Sequence, residues 1–201
     1  MGTHAVMKIL RPQTEIDTQG NLSAQLNHFI QQPGSIDSAP CPGCVCDVRS
    51  DCSPSCEYAP RALSIEPDRY PIEPHVIAIV FEMMTTGLMK TCWSCEGHMN
   101  EKGELWKIPQ VCFYSPASIY VKLLHMHITA LQQQKMLAYK WQISITDFAT
   151  TMDVTYCLQP DLNHEASPRL GLLQNDLKLI SKDMSAKLKL YAIELLTTLD
   201  T

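Results

Sequence analysis

Between Pro74 and Leu199 the apolar positions follow two different periods, and these divide the chain into elements. Over His75–Thr86, Val76, Ile77, Ile79, Val80, Phe81, Met83 and Met84 occupy nearly every face, which predicts a helix covered on all sides. Pro74 suits the first position of that helix and Gly87 its C-terminal cap. A strand is expected over Leu88–Ser94, a turn over Glu96–Gly103 and a second strand over Ile108–Tyr114. Ser115-Pro116 opens a helix that extends to about Gln134, with Tyr120, Leu124, His127 or Ile128, and Leu131 facing inward. Trp141, Ile143 and Ile145 alternate with polar residues, as do Val154, Tyr156 and Leu158. This is the pattern of two half-buried strands joined as a hairpin, the second ended by Pro160. After Ser167-Pro168, a stripe from Leu173 through Leu177, Ile180, Met184, Leu188, Tyr191 and Leu195 to Leu199 keeps spacings of three and four. It predicts one final helix with an apolar face ~40 Å long. The order α-β-β-α-β-β-α defines a small layered domain of the α+β class over residues 75–201.

The first third has another character. Residues 1–40 are expected to be a flexible N-terminal segment, polar and irregular over residues 1–20 and then carrying a short helix with Leu22, Leu26, Phe29 and Ile30 behind a capping Asn21. Gln31–Pro40 is a linker by composition. Residues 41–74 form a Cys-rich, Pro-rich segment, and Glu57–Pro74 holds four prolines that forbid a continuous helix.

Cys41–Cys56 carries five cysteines in sixteen residues. Cys41-Pro-Gly-Cys44 resembles a zinc knuckle, in which glycine permits the tight backbone and both thiolates face one ion. Ser53-Pro54 can start a helix and bring Cys52 and Cys56 together. Cys41, Cys44, Cys52 and Cys56 would then complete a tetrahedral zinc site, with Cys46 spare. An iron–sulfur cluster is the rival, because five cysteines exceed the needs of one zinc; the spacing differs from the common ferredoxin run. Free loop thiols are the third reading. The segment has few large apolar residues to fold around, which favours a metal.

Composition narrows the classes. The chain has 201 residues, a 45% hydrophobic fraction and a net charge of −5. No segment is a basic stripe, so non-specific nucleic-acid binding is not expected. The longest apolar run, Val76–Phe81, is far short of the ~20 residues that span a bilayer, and no secretory signal is visible. A cytoplasmic protein is the expectation, and there the nine cysteines favour thiols or metal ligands over disulfides.

A second concentration of chemistry lies at Thr91–His98, TCWSCEGH. Cys92 and Cys95 form a Cys-x-x-Cys pattern, but strand alternation sends them to opposite faces. The more productive unit is Ser94–His98. Gly97 permits a sharp turn, so that Ser94, Cys95, Glu96 and His98 ring the mouth of a cleft at a strand end. Cys95 and His98 suit one metal or a thiolate–imidazole pair, and Glu96 can act as acid, base or orienting group for His98. His127 is a candidate contributor from the following helix, and Ser94 and His127 are the candidate ligand-binding pair. Cys112 and Cys157 are expected to be core thiols.

A helix, then a strand ending in Ser-Cys-x-Gly-His at Met89–His98, then Pro109-Gln110-Val111-Cys112-Phe113, resembles an uncharacterised bacterial family with a Cys-Trp-Ser-Cys-Glu-Gly-His motif. More distantly, the helix–strand–Ser-Cys-x-Gly layout is similar to the wybutosine-pathway tRNA methyltransferases, which carry Ser-Cys-Ser-Gly-Arg there. The likeness spans His75 to Tyr114. This chain has His98 where those enzymes have arginine and Glu96 where they have serine. The resemblance implies that Ser94–His98 is a site and not only a turn.

Three functional readings follow. One is a cytoplasmic metal-binding protein, zinc or iron–sulfur, with a ligand loop at Ser94–His98 for a small ligand or protein partner. Another is a small enzyme, RNA- or nucleotide-modifying, with Cys95, Glu96 and His98 in its cleft. The last is an assembly subunit that forms homo-oligomers through the C-terminal helix.

Overall fold

A computed structural model describes residues 19–32, 59–64, 66, 68–146 and 154–199. Along the chain come α1 (Gln19–Gln31), α2 (Ala59–Ala62), a 3-10 turn (Pro74–Val76), α3 (Ile77–Thr85), β1 (Lys90–Cys95), β2 (His98–Met99), β3 (Leu105–Lys107), β4 (Gln110–Tyr114), α4 (Ser118–Gln133), β5 (Trp141–Thr146), β6 (Thr155–Pro160), α5 (Leu170–Ser181) and α6 (Met184–Leu199). The fold is α+β. The Cys41–Cys56 cluster, with Cys41, Cys44, Cys46, Cys52 and Cys56, lies outside the described residues.

The alternating segments form one antiparallel sheet in the order β1-β4-β6-β5. Val111 stands opposite Leu158, and Phe113 opposite Tyr156, whose ring it stacks on at 5.7 Å between centroids. These side chains join the main apolar core, and the residues between them point to the other side of the sheet. Helix α3 packs against β1, and α4 against β5. Ile79, Val80 and Met83 of α3 and Leu123, Leu124 and Ile128 of α4 are buried. Each such side chain contributes about 1.5–3 kcal/mol on leaving water.

Helix α1 begins at Gln19, so Asn21 lies inside it and does not cap it. Its Leu26 and Phe29 are fully buried. Phe29 meets Tyr120 of α4 edge-on, and the Tyr120 hydroxyl donates to the Gln25 carbonyl at 3.1 Å. Helix α1 also rests on α6, where Lys189 Nζ donates to the Gln32 carbonyl at 2.7 Å.

Three expectations change. The final helix is two helices, because Lys182 is extended and Asp183 takes a left-handed φ of 54°. The apolar spacing hides this break: Ile180 and Met184 on either side of it are both fully buried. Helix α6 consequently packs against α1, α3 and α4 of its own chain. Second, Glu96–Gly103 is more than a turn, since β2 and β3 pair there as a separate two-stranded ribbon. Third, β1 starts at Lys90 and carries an irregularity between Thr91 and Trp93. Trp93 pairs with Cys112 and Cys95 with Gln110, so the extra residue, Cys92, resets the alternation. Cys92 and Cys95 therefore share the Cys112 side of the sheet instead of opposing each other. No helix among the described residues is long and apolar enough to cross a membrane.

One buried carboxylate ties helix to sheet. Asp176 of α5 is fully buried. It accepts hydrogen bonds from the Ala138 and Tyr139 amides at 2.9 and 3.0 Å and from the Trp141 indole at 3.0 Å. Replacing it by alanine leaves three donors unsatisfied in the interior. We expect Asp176→Ala to cost about 3 kcal/mol or more and Asp176→Asn clearly less. Urea unfolding followed by tryptophan fluorescence measures both, and equal losses would disprove this account.

Candidate metal centre

Three side chains from two distant segments converge at the end of β1. Glu73, Cys95 and His98 each bring one donor atom, and all three atoms lie within 4.8 Å of one another. The group can hold a metal ion. His98 Nε2 is 3.0 Å from Glu73 Oε1. Cys95 is 3% exposed, whereas the Glu73 and His98 side chains keep 34% and 38% of their surface. The sulfur thus forms the floor of the site, and the carboxylate and imidazole form its open side.

Gly97 makes the convergence possible. It adopts φ +85°, which only glycine takes without strain, and turns the chain from β1 into β2. A Cβ there would lie 2.6 Å from Leu170 Cδ1 and 2.8 Å from Pro109 Cδ. The turn lets Cys95 and His98 face one point. The β2–β3 ribbon then fixes His98, which pairs with Lys107. Asn100 closes the ribbon: its Oδ1 accepts from the Lys102 and Glu104 amides at 3.0 and 2.9 Å.

Glu73 arrives from the proline-rich connector. It is extended, with φ −70° and ψ 145°, as the residue before Pro74 must be. The Glu96 amide donates to Glu73 Oε2 at 2.7 Å, which leaves Oε1 aimed at His98. Glu96 itself is a clamp. Its carboxylate accepts from the His75 amide at 2.9 Å, and its carbonyl accepts from Gln174 Nε2 at 3.2 Å. Burial pushes the Cys95 thiol above its ordinary pKa. The Gly97 amide and Lys107 work the other way, and the carboxylates of Glu73 and Glu96 add to the rise. Such a thiol is a weak free nucleophile, and a bound cation is what would make it a thiolate.

Of the sequence candidates, Cys95 and His98 belong to this group. Glu96 adjoins it through its backbone. Ser94 lies in β1 opposite Val111. His127 is elsewhere: buried between helices, its Nε2–H donates to the Ile180 carbonyl at 2.9 Å, with its ring 6.4 Å from that of Tyr191. Cys92 is not a member of the group. Glu73 escaped the sequence reading because it lies 23 positions before Glu96. Its only local mark is an acid preceding a helix-starting proline. No family model, curated protein or solved structure matches the chain, so the resemblance stated above rests on the quoted residues alone.

Two outcomes are expected. Gly97→Ala combines a left-handed backbone with a blocked Cβ and should destabilise by about 2–4 kcal/mol, read from the urea midpoint. A loss below about 1 kcal/mol would mean the turn relaxes freely. His127 supplies a pH dependence. Burial holds its pKa below the ordinary value and Lys187 adds to this, while the Ile180 carbonyl opposes it. The unfolded chain thus takes up a proton below about pH 6.5 that the folded chain resists. The contribution is fully present above that pH and is lost as pH falls toward the folded pKa. Unfolding midpoints should decline on the acid side, and His127→Gln should flatten part of the decline. An unaltered slope in that variant would exclude His127 as the cause.

Proposed function

We propose that this chain is a zinc-binding protein in which Glu73, Cys95 and His98 hold one ion. The observation that carries this reading is the convergence of one oxygen, one sulfur and one nitrogen donor within 4.8 Å. A mixed set of this kind suits zinc, which accepts thiolate, imidazole and carboxylate together. It does not suit an iron–sulfur cluster, which is bound mainly by thiolates. The Glu96 amide on Glu73 Oε2 is the outer contact that orients a ligating carboxylate.

Three protein donors leave a tetrahedral ion one position for water or a small ligand. That is the composition of working zinc sites more than of closed structural ones. The partly exposed Glu73–His98 side is where such a ligand would arrive. The five cysteines of Cys41–Cys56 offer a separate, all-thiolate donor set by sequence.

Zinc competition against a chromophoric chelator tests the assignment. Variants Cys95→Ala and His98→Ala should each lose at least about tenfold in affinity for one ion per chain, since even an outer contact to a ligand is worth that much. Joint replacement of Cys41 and Cys44 by serine should leave this ion in place. Circular dichroism confirms that each variant folds. Unchanged zinc content in folded Cys95→Ala and His98→Ala would remove the proposal.

A further inference from the structure

Cys112 of β4 and Cys157 of β6 are directly opposite in the register of the two central strands. Their sulfur atoms are 3.0 Å apart, and Cys112 donates its S–H to Cys157. Both are free thiols, 3% and 1% exposed. Buried cysteines often serve as small apolar filler. This pair differs in placement: the strand alternation turns it away from Val111, Phe113 and Leu158. Its polar neighbours are the amide oxygens of Gln110 and Gln159, 3.6 and 3.9 Å from the Cys157 sulfur.

We propose that Cys112 and Cys157 are a redox-sensitive pair that a small peroxide closes into a cross-strand disulfide and a dithiol reopens. Facing residues of antiparallel strands have Cα atoms about 4.5–5.5 Å apart, inside the range a disulfide spans. Facing residues of this kind commonly hold their Cβ atoms about 4.5–5.5 Å apart, wider than the roughly 3.8 Å a disulfide prefers, so closure of such a pair draws two strands together against their pleat. A bond strained in this way is readily reduced, which is the property of a regulatory and not a structural disulfide.

The chemistry balances with peroxide as the oxidant. The Cys157 thiolate attacks one peroxide oxygen, the O–O bond breaks, and the second oxygen leaves as water after taking a proton. Cys157 is then a sulfenic acid. The Cys112 sulfur attacks the Cys157 sulfur, its own proton and the sulfenic hydroxyl depart as a second water, and the S–S bond forms. Two thiols have given two electrons to one peroxide. The Cys112 S–H bond to Cys157 favours this order of roles: it lowers the Cys157 pKa and raises that of Cys112. Cys92 lies near enough for its charge to act on Cys157, and for that of Cys112 to act on it, so it is the internal control. The pair shares no residue with Glu73, Cys95 and His98, and the proposal stands apart from the zinc reading.

The full chain is treated with hydrogen peroxide, blocked with a maleimide, digested and mapped by mass spectrometry. The expected result is a peptide pair joining Cys112 to Cys157, lighter by two hydrogens and lost on treatment with a dithiol. Cys92→Ser should retain the link. Cys112→Ser should abolish it and leave Cys157 as a sulfenic acid trapped by a 1,3-diketone. If that variant fails to fold, the map of the unaltered chain decides the matter. A map without the link at doses that oxidise Cys92 or Cys157 singly would overturn the proposal. So would a link that forms only in denaturant, or one that joins Cys157 to Cys92 as often as to Cys112.

Discussion

The turn at Glu96-Gly97 is the constraint on which the rest of the site depends. Its left-handed backbone is enclosed by Leu170 from the start of α5 and Pro109 before β4. At the neighbouring residue, backbone and side chain together bind Glu73, His75 and Gln174. Four stretches of chain are thus fastened at one point by a glycine that has no room for a methyl group and by three hydrogen bonds. None of these contacts is strong alone, at about 1 kcal/mol net for a typical hydrogen bond. Their value is geometric: each removes a direction in which Cys95 and His98 could drift apart.

The same arrangement sets the electrostatics. Two carboxylates lie near a buried thiol, and their repulsion of a thiolate adds to the burial penalty. Without a cation the site therefore favours the neutral thiol and the Glu73–His98 contact. With a divalent ion at its centre, the same carboxylates become favourable, because the ion's charge is the largest in the neighbourhood. The acidic surroundings that make Cys95 a poor nucleophile are those that make the trio a sensible cation ligand set.

Much of this was legible in the sequence where one face of an element is dry. The hairpin strands at Trp141–Thr146 and Thr155–Pro160 alternate in sequence because Trp141, Ile143, Tyr156 and Leu158 turn to the main apolar core while the facing side carries small and polar residues, and α4 and α5 show their inward stripes. The β2–β3 ribbon was not legible, since strands of two and three residues carry no period. The break at Lys182-Asp183 was hidden because the core contacts continue across it in helical register. Cys95 and His98 were found because a local turn joins them. Glu73 was not, because only the tertiary fold brings the connector to that turn. Cys112 and Cys157 were visible as strand residues, but their facing one another depends on strand order, which alternation does not encode. The Cys92 irregularity reversed an argument from parity, since one extra residue exchanges the faces of everything beyond it.

The seating of α1 on α6 has a consequence for the chain as a polymer. Lys189 and Gln32 are 157 positions apart, so their contact closes a loop of most of the described chain. Closing a flexible loop of that length costs roughly 4 kcal/mol of chain entropy, and doubling it would add only about 0.6 kcal/mol more. The insertion of a polar, cysteine-rich stretch between α1 and the sheet is therefore tolerated at almost no thermodynamic expense. What α1 cannot lose is its partner. Helix α1, which carries the buried Leu26 and Phe29, packs chiefly on α6, and a chain that stops before α6 loses that cover.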